Sequence, residues 1–293
     1  MKKALFIVNP VAGKMKIVKD IAEIDKAFYR GGYDCDIYLT NKRGDATEKV
    51  KASGANYDLV VCGGGDGTYN ELITGMLQSG IKMPIGYIPA GTTNDFASTL
   101  DLSQNCVTAA ENIVSGKPRK LDVGKFGDSY FSYVASFGAF TSASYSTSQQ
   151  TKNMLGHSAY LLSGMSDLTS IKPYHLRVEA NGKIYEDDYL FGAVSNSTSI
   201  AGLIKLDSRL VNLSDGEFEI ILIRMPKLLL DVPKILIALA NGDYSEKHIT
   251  VLHASTVRVK TQDKLDWSLD GEHATSDGEI TLENIHGAIS LML

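Results

Sequence analysis

The stretch from Tyr57 to Leu77 constrains this chain more than any other. Tyr57-Asp58-Leu59-Val60-Val61-Cys62 is a short β-branched and apolar run, the pattern of a buried strand. Gly63-Gly64-Gly65-Asp66-Gly67-Thr68 is too rich in glycine for a regular element and reads as a loop. Beyond it, Leu72, Ile73, Met76 and Leu77 recur at helical spacing. Strand, glycine loop and helix in that order bring peptide N–H groups and a helix N-terminus to a phosphate. Glycine suits such a place because any Cβ holds the backbone away from the anion, and because it reaches positive φ without strain. Asp66 cannot bind phosphate directly, but a Mg²⁺ between it and the phosphates would give it a role. The common phosphate motifs do not fit: there is no G-x-x-x-x-G-K-[ST], and Thr68 stands where G-x-G-x-x-G requires a third glycine. A plain tight turn is the other reading of the same residues.

Around this stretch, strand and helix patterns alternate. Ala4 to Val8 is apolar throughout and is followed by the turn Asn9-Pro10-Val11-Ala12-Gly13-Lys14. Ile17, Val18, Ile21, Ile24 and Phe28 mark one helical face, which Gly31-Gly32 closes. Cys35, Ile37 and Leu39 alternate with polar neighbours up to Thr40, and Asp45-Ala46-Thr47-Glu48 resembles a capping box. Pro84 to Ile88 is a fourth strand. This order predicts a doubly wound parallel sheet with helices on both faces. Ligands of such sheets sit at the carboxyl ends of the strands. Asn9-Pro10, Thr40, Gly63 to Thr68 and Pro89 to Phe96 all fall at that edge.

From about Leu121 the pattern becomes antiparallel β. Lys125 to Phe131 reads as a hairpin and Tyr130 to Phe137 as a strand. A Ser/Thr-rich bridge, Thr141 to Thr151, leads to a helix around Ala159 to Leu168. Leu176 to Tyr185 is a hairpin with an Asn181-Gly182 turn. Tyr189 to Val194, Phe218 to Ile223, Thr256 to Lys260 and Leu265 to Leu269 are further strands, with a helix near Leu228 to Ala240. Two acidic turns stand out. Asp215 with nearby carbonyls is a candidate cation site, and Asp270 and Glu272 flank Gly271 as a candidate general-base pair. Each also reads as an ordinary Asp-Gly turn.

A chain of 293 residues leads to an expectation of two domains, and 44% hydrophobic with 22% charged residues is ordinary for a soluble protein. A net charge of −5 argues against a nucleic-acid partner. Cys35, Cys62 and Cys106 are scattered, without C-x-x-C spacing, so neither a disulfide framework nor a zinc site is indicated. Met1-Lys2-Lys3 precedes only five apolar residues, a first strand and not a signal peptide, so a cytoplasmic location is expected. No histidine has metal-ligand spacing, and no G-x-S-x-G elbow occurs.

Asn9-Pro10-x-x-Gly13, Gly64-Gly65-Asp66-Gly67-Thr68, Pro89-x-Gly91-Thr92-x-Asn94-Asp95-Phe96-Ala97 and Leu269-Asp270-Gly271-Glu272 occur in this order across nearly the whole chain. Together they resemble the diacylglycerol kinase catalytic-domain family, in particular soluble bacterial lipid kinases related to sphingosine and ceramide kinases. The Gly64–Thr68 motif alone is shared with NAD kinases. The resemblance implies an ATP-binding α/β domain over 1–124 with a returning tail at 283–293, and a β-sandwich over 125–282 that completes the site. It implies ATP and Mg²⁺, with Asn9, Thr40, Gly64, Gly65, Asp66, Gly67, Thr68, Glu71 and Thr92 contacting nucleotide. Glu272 would accept the proton, supported by Asp270, while Asp66, Asp95 and Asp122 would form an acidic network. A structural Mg²⁺ would map to Asp215 and to main-chain oxygens of Asn212 and Glu217, although Lys205 to Leu213 lacks the family's proline. The expected partner is a lipid alcohol such as diacylglycerol, met by peripheral contact at the inner membrane face, with Ile220 to Ala240 a candidate interfacial stretch. The family also implies a homodimer. An NAD kinase-like activity on a soluble nucleotide and a non-catalytic nucleotide-binding regulator are the alternatives.

Overall fold

Strand β1 (Lys2–Val8) is an inner strand of the first sheet, paired in parallel with β2 (Tyr33–Leu39) on one side and β3 (Leu59–Gly64) on the other. β4 (Pro84–Pro89) continues the parallel order beside β3, and the C-terminal end of the last strand adds beyond it through Ser290 and Leu291. β1, β3 and β4 are buried almost throughout, which is why they read as continuous apolar runs rather than alternating ones. Between the strands run α1 (Lys16–Arg30), α2 (Asp45–Ser53) and α3 (Asp66–Ser79). The short α4 (Asp95–Thr99) and then α5 (Cys106–Ser115) follow β4. Ala4, Phe6, Val8, Leu59 and Val61 pack on one face with Ile17, Ile24 and Phe28 of α1 and Ala109 and Ile113 of α5. Leu5, Ile7, Val60 and Cys62 are equally buried on the opposite face. α2 and α3 pack closely together, Gly75 leaving room for Val50. The first unit is thus a doubly wound α/β sheet.

The computed structural model describes residues 1–92, 94–139, 172–200, 204–207, 209, 211–228 and 231–293. It divides into two units, one formed by Met1–Val123 with His286–Leu293 and the other by Gly124–Ile285. The expected Ser/Thr-rich bridge at Thr141 to Thr151 and the helix at Ala159 to Leu168 lie outside the described residues. β5 (Pro118–Phe126) carries the chain from the first unit to the second, and β17 (Glu279–Met292) carries it back.

The second unit is antiparallel. Its strands are β6 (Ser129–Phe131), β7 (Val134–Gly138), β8 (Tyr174–Ala180), β9 (Lys183–Ser195), the short β10 (Ser199–Ile200) and β11 (Ile204–Lys205), and β12 (Phe218–Arg224). After helix α6 (Val232–Ala240) come β13 (Ile249–Ala254), β14 (Thr256–Lys260), β15 (Leu265–Leu269) and β16 (Glu272–Ser276). β9 pairs with β7, β8 and β12, so one long strand organises the rest. Trp267, Phe137, Phe131, Phe218, Val178 and Val257 fill its core. Trp267 packs edge-on against Phe126 and Phe137 and donates its indole N–H to Ser276 Oγ at 2.9 Å. The Asn181-Gly182 turn has positive φ at both positions, 51° and 71°, as a tight hairpin turn requires.

Three local expectations are corrected. Gly63 to Thr68 is not a loop: β3 runs through Gly64, Gly65 is the N-cap, and α3 starts at Asp66. The capping box at Asp45 does not form: Gly44 is the N-cap, and no side chain of its own segment caps α2. The strand expected from Tyr130 to Phe137 is broken, with β6 ending at Phe131 and β7 starting at Val134.

Candidate active site

In the first unit, the strand-end turns meet through glycine. A Cβ on Gly91 would lie 2.5 Å from Gly65 Cα, and one on Gly13 would lie 2.0 Å from the Ala90 carbonyl oxygen. Only hydrogen fits between these backbones. Gly63 and Gly64 are glycines for the same reason, since added carbons would come within 2.2 Å of Ile17 Cδ1 and 2.5 Å of Thr68 Oγ1. None of Gly63, Gly64, Gly65 or Gly91 has positive φ. Close approach, not backbone conformation, is therefore what these four residues supply.

Hydrogen bonds hold the turns at that distance. The Asn9 amide N–H donates to the Gly63 carbonyl at 2.8 Å, and its side-chain Nδ2 donates to Thr68 Oγ1 at 3.3 Å. The Thr40 N–H donates to the Val8 carbonyl at 2.9 Å, and Ala90 N–H to the Gly64 carbonyl at 2.7 Å. Asn9, Thr40, Gly65 and Asp66 are half-buried, Gly67 and Thr92 are exposed, and Gly64 and Thr68 are buried. Gly65, at the N-cap of α3, has no side chain to cap the first turn, a helix terminus of the kind that suits an anion.

Asp66, Glu71 and Asp122 each have protein donors. Asp66 Oδ2 accepts from the Asp95 N–H at 3.0 Å, and its Oδ1 from the Phe96 N–H at 3.4 Å and the Tyr87 hydroxyl at 3.5 Å. It thereby caps α4 from the start of α3. Glu71 does the same for α2, its two oxygens accepting from Gly44 N–H at 2.8 Å and Ala46 N–H at 3.1 Å. This long-range cap is why no local capping box is needed. Asp122, 1% exposed, accepts from Gly287 N–H at 2.7 Å and lies 3.1 Å from His286 Nδ1. It ties the returning strand to β5.

The second unit places Asp270 and Glu272 on the β15–β16 turn. Asp270 and Gly271 both have positive φ, 51° and 86°, and Leu269 pairs with Glu272 across the turn. The Asp270 carboxylate is buried and accepts three backbone N–H groups, from Ser132 at 2.5 Å and from Tyr133 and Val134 at 3.0 Å each. Glu272, two residues on, is exposed. At the other acidic turn, Asp215 Oδ1 accepts from Glu217 N–H at 3.0 Å and the Glu217 carbonyl accepts from Asn284 Nδ2 at 3.0 Å. Asn212 Oδ1 accepts from the Ser214 N–H at 3.2 Å. Asn212, Asp215 and Glu217 are all exposed. Among the described residues no group of three or more His, Cys, Asp or Glu side chains is gathered as a metal site. A site of one carboxylate and carbonyl oxygens is a different donor set, of the hard-oxygen kind that Mg²⁺ takes.

Two sets of residues in these corners were not singled out from sequence. Tyr87 left one signal, a polar-tipped ring inside an otherwise apolar strand. The amides of Ser132 to Val134 left none, because backbone donors carry no sequence signature.

Comparison with known proteins agrees along the whole chain. Residues 3–126 match the diacylglycerol kinase catalytic domain, and residues 134–292 match the YegS C-terminal NAD kinase beta sandwich-like domain. A diacylglycerol kinase of Bacillus subtilis (strain 168) is 33% identical over 277 residues, covering 93% of this chain and 90% of that protein. One from Staphylococcus aureus (strain MRSA252) is 31% identical, covering 93% and 86%. The crystal structure of a diacylglycerol kinase from Bacillus anthracis str. Sterne superposes with a TM-score of 0.77 at 23% identity, covering 99% of this chain and 96% of that one. A further solved chain from the same organism reaches 0.84 at 24% identity, with the same coverage. These two share the fold. By sequence over nearly its full length, the chain belongs to the diacylglycerol kinase catalytic-domain family.

Proposed function

We propose that this chain is an ATP- and Mg²⁺-dependent lipid kinase that transfers the γ-phosphate to a lipid hydroxyl, with diacylglycerol giving phosphatidic acid as the reaction. The observation that carries the reading is the glycine-to-glycine approach of Gly65 and Gly91 beside the glycine-capped N-terminus of α3. Such a cradle suits a group that must come close to main-chain amides, as a polyphosphate does.

Phosphoryl transfer asks a protein mainly for positioning and charge neutralisation. The amides from Gly64 to Thr68 and the Asn9 side chain would hold the phosphates, with Thr40 and Thr92 at neighbouring strand ends. Glu71 would act by holding the turn after β2 against α3. Magnesium, when bound, would offset charge on the phosphate oxygens. The donor set fits in kind: the Asp66 carboxylate is a hard-oxygen donor of the sort Mg²⁺ takes. Asp95, at the start of α4, is a second hard-oxygen donor beside it, and Asp122 would act at the base of the returning strand. Asp215, with the Asn212 and Glu217 carbonyls, would hold a separate structural ion. Glu272, exposed on its turn, would take the proton from the lipid hydroxyl, and Asp270 would hold that turn. A lipid acceptor requires contact with a bilayer, at its cytoplasmic face. Among the described residues no helix is long and apolar enough to cross a membrane.

The test is transfer from labelled ATP to diacylglycerol, ceramide, a polyprenol and NAD, each with and without Mg²⁺. Metal-dependent label in phosphatidic acid is expected. Label in the NAD product alone would replace the lipid reading with a soluble-nucleotide kinase, and no product from any acceptor would favour a binding protein.

A further inference from the structure

β4 is apolar apart from one hydroxyl. Tyr87 lies opposite Cys62 in the parallel register, its ring 2% exposed. The ring is fixed by stacking: it packs on Tyr69 of α3 at 4.6 Å and 23°, and Tyr69 in turn stacks on Phe96 of α4 at 5.0 Å and 24°. Its hydroxyl therefore has little freedom. It sits 3.5 Å from Asp66 Oδ1 and 3.4 Å from Asn94 Oδ1.

Neither neighbour can donate to it. The Asp66 carboxylate already accepts N–H groups at the start of α4. The Asn94 amide is oriented by its other bonds: Oδ1 accepts from Gly91 N–H at 2.9 Å, and Nδ2 donates to the Gly91 carbonyl at 3.1 Å and to Gln104 Oε1 at 3.2 Å. Tyr87 is thus the donor to both, with one proton for two acceptors. Burial first, and then the charge on Asp66, keep the phenol protonated well beyond its ordinary range, so the donor is not lost at working pH.

We propose that Tyr87 is a positioning residue of the nucleotide cradle, its shared proton joining Asp66 at the start of α3 to Asn94 in the turn after β4. Those two residues flank a close backbone approach, Gly65 against Gly91. The hydroxyl sets the spacing of the two segments, and the ring's stacking could be supplied by phenylalanine alone. The functional half of this inference rests on the kinase reading above, whereas the geometric half does not.

Tyr87→Phe separates the two halves, because it keeps the stack and removes the hydroxyl. Amide hydrogen exchange at Asp95 and Phe96 reports directly on how firmly Asp66 is held. Exchange there is expected to quicken, and ATP turnover to fall, each by up to about tenfold, the scale of one net hydrogen bond, with the melting temperature nearly unchanged. In an Asp66→Asn background the same substitution is expected to lose most of its effect, since contacting partners are not additive. Unchanged exchange at Asp95 and Phe96, an equal effect in both backgrounds, or a uniform rise in exchange across α3 and β4 would each overturn the proposal. Should wild-type protein phosphorylate no acceptor, the kinase reading fails and the exchange measurement alone decides the role of Tyr87.

Discussion

Asp66 and Asp270 are the same device in two settings. Each is an aspartate just beyond the end of a strand whose carboxylate accepts backbone N–H groups from another segment. Asp270 holds three amides at 2.5–3.0 Å, is buried, and completes a tight hairpin. Asp66 holds two amides and a phenol at 3.0–3.5 Å and is half-buried. The difference suits what each corner carries. The Asp270 turn presents an exposed side chain, Glu272, whose placement depends on a rigid base. On the proposed reading, the Asp66 corner presents main-chain amides that adjust to a ligand, and longer bonds leave room for that.

The largest expected effect lies on what the rigid corner carries. Glu272→Gln should cost about 10²–10⁴-fold in turnover, the usual worth of a general base, while the melting temperature stays put because the side chain is exposed. Wild-type-like turnover would leave the Asp270 turn as scaffold only. The next effect compares the two aspartates directly. Asp270→Ala leaves three buried N–H groups without their acceptor and should lose about 3 kcal/mol in urea unfolding. Asp66→Ala, with longer bonds nearer to water, should lose about 1 kcal/mol but nearly all ATP-dependent activity. Equal stability losses would erase the distinction between a locked and an adjustable corner.

The α/β order of the first unit was legible because buried parallel strands and amphipathic helices leave strong periodic patterns. β14 at Thr256–Lys260 and β15 at Leu265–Leu269 occupy the residues their alternation indicated. Helix α5 was not foreseen, although Asn105 caps it by accepting the Thr108 N–H at 3.0 Å. Its buried Ala109 and Ala110 carry too weak an apolar signal. β13 and β16 were also missed. In the candidate site, the glycines were visible, and of the two reasons for them only one holds: Gly63 to Gly65 yield space, and none has positive φ. The Asp45 capping box failed for a related reason. Glu71, distant in sequence, already accepts from the Gly44 and Ala46 N–H groups, and local patterns cannot reveal a distant acceptor. Glu71→Gln should accordingly cost about 1 kcal/mol, as loss of a helix cap does, read as faster amide exchange in the first turn of α2.

Two glycines bring the comparison to its finest point. A Cβ on Gly91 would meet Gly65 Cα at 2.5 Å and Asn94 Oδ1 at 2.6 Å, so Gly91→Ala must push two backbones apart. Overpacking of this kind costs about 1–3 kcal/mol, and the widened cradle should bind nucleotide weakly. Gly271 is the reverse case: its φ is +86°, yet a Cβ there would meet nothing within 4 Å. Gly271→Ala should therefore cost about 1–2 kcal/mol, the strain of a left-handed alanine, and leave nucleotide affinity unchanged. Stability measured by unfolding and affinity measured with a fluorescent ATP analogue distinguish the two, because on the proposed reading a displaced Gly65 moves the phosphate donors directly, whereas Gly271 belongs to a turn of the second unit. If Gly271→Ala weakened nucleotide binding as much as Gly91→Ala, the first unit's cradle would not be the place where nucleotide affinity resides.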